Sequence, residues 1–280
     1  MVEIREENNE QPQGQQQQQP TNSEGGNPSQ QNANGPRTTA LDFLKRNQID
    51  TLCFALRLAT LYFALNYALS VASPSAQKMA FTKAIAAAAA TNAFRLHHRM
   101  RGVEVPMFSQ HFLALLVRED SAHYLFYCLI LVVTSPVTIA LLPLAMFALF
   151  HAIAFLQRMD SELGWHSSLI LKLAQFKAQH TANILSTVAC AEIFLFPLLV
   201  AMIFTGKANI FAPIVYYQFL VFRWLSVRNP YTRAMFSQLR LAVLSVADHA
   251  RCPGPIRALV HKAVALVERL GQAHVQRVQQ

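Results

Sequence analysis

From Ser121 to Gln157 the chain carries no Asp, Glu, Lys or Arg. Charge closes this run on both sides, with Arg118, Glu119 and Asp120 before it and Arg158 and Asp160 after it. A bilayer core of about 30 Å takes about 20 helical residues per crossing. The run is therefore too long for one upright crossing and slightly short for two. In its middle stands Thr134-Ser135-Pro136. Proline has no N–H to donate and disfavours helix in the residue before it. This predicts a helical hairpin, with a short arm to about Thr134 and a longer arm from Pro136 to Gln157. The alternative is a single tilted span whose other half lies in the interface.

Composition agrees with a membrane setting. Of 280 residues, 53% are hydrophobic and 14% charged, against about 25% charged in a soluble domain. That length suits one compact membrane unit plus tails. The first forty residues hold no apolar run for a signal peptide, so the first hydrophobic helix is expected to act as an uncleaved anchor. Met1-Val2 argues against N-myristoylation, and the terminal Val-Gln-Gln carries no prenylation or retention signal. The four cysteines, Cys53, Cys128, Cys190 and Cys252, lie too far apart for a zinc pattern or a disulfide framework and are expected to act as small buried hydrophobes. No Asn-x-Ser/Thr sequon stands in an acceptable context, in keeping with little luminal exposure.

Residues 1–40 are rich in Gln, Asn, Pro, Ser and Gly, with an unbroken glutamine run from Gln15 to Gln19. Such a segment cannot bury enough apolar surface to offset its ordering entropy, and disorder is expected. Leu41 to Asp50 reads as a short amphipathic lead-in, and Thr51 to Ser73 as an apolar helix interrupted by Arg57 and Asn66. Arg57 lies about two turns from the helix start, where its side chain could snorkel toward headgroups. After the Ser73-Pro74-Ser75 turn, an Ala-rich helix from about Met79 to Phe94 either crosses or lies in the interface. Arg95, His97, His98, Arg99 and Arg101 follow as a dense basic patch. Adjacent histidines on a helix point about 100° apart, so His97 and His98 make a poor metal chelate. Phe108 to Val117 is a further apolar stretch. Beyond the charge-free run, Arg158 to about Thr181 is polar. Asn183 to Thr205 is apolar around Glu192 and Pro197, and Ile210 to Leu225 is apolar and aromatic.

One device occurs three times, two apolar helices around a tight turn: Ser73 to Lys78, Thr134 to Pro136, and Gly206 to Asn209. Basic residues gather on the opposite connections, Arg95, Arg99, Arg101 and Arg118, then Arg158, Lys172 and Lys177. The positive-inside rule then places the tight turns in the lumen and both termini in the cytosol. From Arg223 to Gln280 there are nine Lys/Arg against Asp248 and Glu268, most of the chain's net charge of +9. In this tail Ile256, Leu259, Val260, Ala263, Leu266, Val267 and Leu270 recur at the spacing of one helix face. Met235, Phe236, Leu239, Ala242, Val243 and Val246 do the same from Tyr231 to about Ala247. Basic amphipathic helices beside a span suit an anionic lipid surface through Arg228, Arg233, Arg240, Arg257, Lys262 and Arg269. Packing on the protein's own cytosolic face fits the pattern equally.

Ionisable residues inside membrane segments are candidates for function, because burying charge in hydrocarbon is costly. Here they are Arg57, His123, His151 and Glu192. No two share the spacing of a relay on one helix, and Glu192 is expected to pair with Arg57 or to be protonated. Glu119, Asp120 and His123 resemble a carboxylate–histidine cluster, though a helix N-cap and an acidic first turn account for the same residues. No nucleophile elbow, P-loop, dinucleotide fingerprint, zinc-protease helix or EF-hand loop is found, and neither an enzyme nor a cofactor is expected.

Taken in order, Arg95-Leu96-His97-x-Arg99, Glu119-Asp120-Ser121-x-His123-Tyr124, Pro136-Val137-Thr138, Glu192-Ile193-Phe194-Leu195-x-Pro197, Tyr216-Tyr217 and Arg228-Asn229-Pro230-Tyr231 resemble the transmembrane protein 33 family. The likeness is greatest to its Krüppel-homologue-2 branch and extends over about Leu41 to Leu270, in a family that includes fungal pore-membrane proteins. The resemblance implies a multi-pass protein of the endoplasmic reticulum and nuclear envelope. It also implies a part in shaping tubular membrane, reticulon-type and nuclear pore partners, and links to the unfolded-protein response. It supplies no catalytic residues. Three or four spans are usual in the family, fewer than the six arms counted here.

The expected fold class is all-α, a polytopic membrane protein of helical hairpins. Residues 1–40 form the tail, 41–227 the membrane domain and 228–280 the cytosolic basic helices. The expected function is non-enzymatic shaping or organisation of membrane. The expected partners are the anionic cytosolic leaflet and, by resemblance, reticulons and pore components. No nucleic acid is expected, and self-association stays open. The alternatives are a small channel or transporter using Arg57, Glu192, His123 and His151, and an adaptor recruiting partners through its tail.

Overall fold

The computed structural model describes residues 39–69, 73–101, 109–226, 229–249 and 252–279. Among them only helices form: α1 (Ala40–Arg46), α2 (Gln48–Leu69), α3 (Pro74–Met100), α4 (Gln110–Arg118), α5 (Asp120–Val132), α6 (Thr138–Leu163), α7 (Ser168–Phe204), α8 (Phe211–Leu225), α9 (Tyr231–Ala247) and α10 (Gly254–Gln279). Local chemistry sets many of these bounds. Thr39 accepts a hydrogen bond from the Asp42 N–H, and the Asp42 carboxylate takes the Thr39 N–H in return, a reciprocal cap that starts α1. Pro74 occupies the first turn of α3 behind the Ser73 cap. Gly164 closes α6 at φ 63°, a left-handed conformation open to glycine without a Cβ penalty.

The charge-free run is a hairpin, as the Thr134-Ser135-Pro136 break predicts: α5 stops at Val132 and α6 begins at Thr138. α2 with α3, and α7 with α8, make the other two. The tight turns gather at one end. The Ser135 N–H donates to the Lys207 carbonyl at 3.4 Å, and the hydroxyls of Tyr67 and Thr138 lie 3.3 Å apart. By chain direction, α1, α4, α9 and α10 therefore join the bundle at the opposite end.

Three elements differ from expectation. The Ala-rich helix is longer than Met79 to Phe94, and it packs inside the bundle rather than along an interface. Ala80, Phe81, Ala84, Ile85 and Ala88 are buried against α2 and α5, small side chains letting the backbones approach closely. The polar stretch before Asn183 is not a connection but the first half of α7, which runs unbroken for 37 residues through Pro197. No Gly or Pro stands between Ser168 and Pro197 to stop it, and a proline inside a packed membrane helix is tolerated. The lead-in breaks at Asn47, after which α2 starts three residues earlier than Thr51. The Gln-rich segment lies outside the described residues.

α2, α6 and α7 are long and apolar enough to cross a membrane, and α5 is a shorter apolar helix. The pattern of exposure is that of a lipid-embedded bundle. Leu58, Tyr62 and Leu65 of α2, Leu129 of α5, Phe194 of α7 and Ile214 of α8 face outward, while Arg57, Thr60, Glu192 and Arg223 are buried. Cys53 and Cys128 are buried and free, as small hydrophobes. The chain is an all-α polytopic membrane protein.

Candidate functional site

Antiparallel helices that share a turn end bring residues equally far from that end to one level. Arg57 stands twelve residues before Leu69, Asp120 twelve before Val132, Glu192 twelve before Phe204, and Arg223 twelve after Phe211. At 1.5 Å per residue all four lie about 18 Å from the tight-turn end. The bundle thus holds a polar layer at this level, with His151 of α6 one residue further along.

At the centre of the layer Glu192 is 0% and Arg223 1% exposed. The Arg223 Nε–H donates to Glu192 Oε2 at 3.1 Å, and the Tyr124 hydroxyl donates to Glu192 Oε1. Tyr216 donates from its hydroxyl to the Glu192 carbonyl at 2.8 Å. Arg223 Nη1 reaches Asp120 Oδ1 at 3.4 Å, and the Ser226 hydroxyl reaches the same oxygen at 3.4 Å. The guanidinium carbon of Arg223 lies 5.0 Å from the centroid of the Tyr124 ring. His123 Nδ1 is 3.8 Å from Asp120 Oδ1, and its ring stacks on Phe222. Both oxygens of Glu192 are engaged and three helices meet there, so this cluster locks α5, α7 and α8 together.

Arg223, not Arg57, is the partner of Glu192, contrary to expectation. Asp120 does stand in the first turn of α5, but no side-chain cap forms there. Its carboxylate turns to Arg223 and His123 instead, which is the cluster arrangement rather than the capping one. A signal for the pair was present in the sequence. Glu192 and Arg223 flank the Gly206 to Asn209 turn at equal distances, each the lone charge of its apolar stretch, Asn183 to Thr205 and Ile210 to Leu225.

Beside this cluster lies a cavity of about 260 Å³ whose lining includes Arg57, Arg95, Arg99, Asp120, His151 and Arg223. Arg57, expected to snorkel, is 9% exposed and lines this cavity from α2. Arg95, expected on the membrane surface, is half-buried, and its Nη1 lies 2.9 Å from His151 Nε2. His151 accepts that bond as a neutral imidazole. Arg99 pairs with Glu119 at 2.5 Å. Arg57, Arg95, Arg99 and His151 are thus brought together, while Glu192 and His123 sit in the neighbouring cluster.

The remaining basic candidates lie apart. Arg101 is exposed at the end of α3. Arg233 is exposed on α9, and Arg240 pairs with Glu268 of α10. Arg257 is half-buried and donates to the carbonyls of Ala247 and His249 at 3.1 and 3.4 Å, fastening α10 to the end of α9. Lys262 and Arg269 are exposed. Arg228 lies outside the described residues. No group of three or more His, Cys, Asp or Glu side chains able to hold a metal occurs among the described residues. Sequence reasoning missed Arg223, Tyr124 and Tyr216 as members of the buried cluster.

Comparison with known proteins bears on the whole helical region. Residues 32–273 match the family model described as Transmembrane protein 33/Nucleoporin POM33. The Transmembrane protein 33 homolog of Caenorhabditis elegans is 40% identical over 225 residues, 80% of this chain and 82% of that protein. Human Transmembrane protein 33 is 36% identical over 239 residues, 85% of this chain and 96% of the relative. Krueppel homolog 2 of Drosophila melanogaster is 34% identical over 234 residues, 82% and 81% of the two chains. No solved structure matches the chain. A family model matched over residues 32–273 and relatives 34–40% identical over 80–85% of its length place the chain in the transmembrane protein 33/nucleoporin POM33 family.

Proposed function

We propose that this protein is a non-enzymatic organiser of endoplasmic reticulum and nuclear envelope membrane, set with its tight turns toward the lumen and both termini in the cytosol. The carrying observation is the difference between the two ends of the bundle. At one end the connections are brief, as where Ser135 meets Lys207. At the other, α1, α4, α9 and α10 are added, so the protein occupies more area in the cytosolic leaflet than in the luminal one. That inequality favours convex, tubular or pore-edge membrane. α5 and α8 strengthen the wedge, since their 13 and 15 residues amount to about 20 Å, short of a hydrocarbon core of about 30 Å.

The tail extends the same action. α9 packs on α7 and sets Phe236 against Trp224, yet Val243 and Val246 of α9 and Ile256, Leu259, Leu266 and Val267 of α10 are exposed. With Arg233, Lys262 and Arg269 exposed beside them, these helices suit insertion into an anionic cytosolic surface. Residues 1–40 then serve as a tail, 41–227 as the membrane domain and 228–280 as the surface-seeking part. The family name, with its nucleoporin member, supports a role at nuclear pores, and reticulon-type proteins are the partners this reading calls for. A transport reading is less supported, because both oxygens of Glu192 are already held by Tyr124 and Arg223.

Reconstitution tests the proposal. Purified protein in liposomes of mixed neutral and anionic lipid is expected to narrow or tubulate them in proportion to protein density. Unchanged vesicles at every density reached would end the wedge reading.

A further inference from the structure

We infer that the cavity walled by α2, α3 and α6 and floored by the ends of α5 and α8 is a seat for a doubly charged phosphate group, a phosphomonoester of a lipid headgroup or a soluble phosphate. The carboxylates near the cavity are already matched. Asp50 is taken by Arg158 at 2.9 Å, Glu119 by Arg99, and Asp120 and Glu192 by Arg223. Arg95 meets only the neutral His151. Arg57, nine-tenths buried and lining the cavity, has neither hydrogen bond nor ion pair with any described residue. Two guanidinium groups on adjacent helices thus face one space with neither paired to a carboxylate, since Asp50 and Asp120 at its edges are held by Arg158 and Arg223.

The uncharged polar side chains of α2 and α3 around the cavity are engaged within their own helices. The Thr60 and Thr91 hydroxyls and the Asn92 amide donate to carbonyls of their own helices at 2.9 Å. Guanidinium forks remain, and they match phosphate oxygens two at a time. A buried cation without a partner is unfavourable unless an anion completes it. Two unmatched positive charges select a dianion over the singly charged phosphodiester of common lipids. The adjoining space lined by Asp50, Cys53, Arg57, Arg95 and His98 measures about 290 Å³, so the seat continues toward the end of the bundle where α1 enters. Basic recesses between membrane helices at the cytosolic side are places where phosphorylated headgroups dock.

The test uses the full chain in nanodiscs, with Lys262→Gln and Arg269→Gln in every sample to mute surface binding by the tail. Thermal unfolding is followed in phosphatidylcholine alone, with added phosphatidic acid, and with added inorganic phosphate. A saturable rise in Tm is expected with phosphatidic acid, with phosphate, or with both. Response to the lipid alone assigns a headgroup, and an equal response to phosphate assigns a soluble anion. Arg57→Gln is expected to weaken the effect at least about tenfold, the size of a lost charge-assisted hydrogen bond, while leaving the ligand-free Tm unchanged or higher. Arg57→Lys should fall between, keeping the charge without the fork. Arg95→Gln, on a different helix, reports independently should Arg57→Gln fail to fold. A rise in Tm that survives both substitutions, or no rise with either probe, overturns the inference.

Discussion

Replacing Glu192 by leucine should cost about 4 kcal/mol of folding stability. Glu192 and Arg223 are buried, so the substitution leaves the guanidinium with Asp120 as its one remaining charged partner among the described residues. Removing one member of a buried pair typically costs about 3–5 kcal/mol. The Tyr124 hydroxyl also loses its acceptor, worth about 1–3 kcal/mol. Asp120 at 3.4 Å returns part of this by holding Arg223 from its other side. Adding Arg223→Met to Glu192→Leu removes the stranded charge, and apolar replacement of a whole buried pair is often neutral or better. The double variant should therefore lie within about 1–2 kcal/mol of the parent. Unfolding in mixed micelles, followed by helical circular dichroism against denaturant, yields all three values. A Glu192→Leu cost below about 1 kcal/mol, or a double variant worse than either single one, would refute the claim that this pair locks α5, α7 and α8.

Three other outcomes are expected. Gly164→Ala should destabilise by about 1–2 kcal/mol through backbone strain alone, since no atom lies within 4 Å of the added carbon at this left-handed position; a neutral melt would contradict that. A glycosylation sequon placed at Gly206 to Asn209 should be modified in sealed microsomes while tags at both termini are digested by added protease, and the reverse pattern would invert the orientation. Neutralising Lys262 and Arg269 together should weaken binding to anionic vesicles about thirtyfold, at about 1 kcal/mol per charge, with no loss on neutral vesicles.

Residue chemistry foretold the hairpin turns better than the helix lengths. Pro136 breaks the charge-free run because a missing N–H is a local fact, independent of what packs around it. Continuity of α7 was hidden because Lys172, Lys177 and His180 look like a solvated connection, and polarity marks where a helix meets water, not where it ends. α3 escaped for the opposite reason. Its alanines are only weakly hydrophobic, and their value lies in letting α2 and α5 come close, which no single-helix pattern displays. In the polar layer, Arg57, His123, His151 and Glu192 were recognisable as ionisable groups in apolar surroundings. Their partners were not, because Arg223 near the end of α8 also reads as an exit from the membrane. Reflection about the Gly206 turn would have paired it with Glu192.

The depth of the layer follows from unequal helix lengths. α5 and α8 each have one terminus at the tight-turn end, and their other termini fall at the polar layer, at Asp120 and at Arg223 to Leu225. Their neighbours α3 and α6 run on to 27 and 26 residues, about 40 Å at 1.5 Å each. A short pair between longer helices leaves a recess whose floor is the end of the short pair. Helix ends carry unsatisfied backbone groups and tolerate charge, so the floor is where Asp120 and Arg223 can stand. The walls are set by the longer helices, from which Arg95 and His151 project together. Lengthening α5 by one turn between Ser121 and Leu131 would lift Asp120 by about 5.4 Å, out of reach of Arg223. The bundle should then lose the Asp120 contact, and Arg223→Met should become less costly in that background than in the parent. An unchanged cost would mean that helix length does not position the layer.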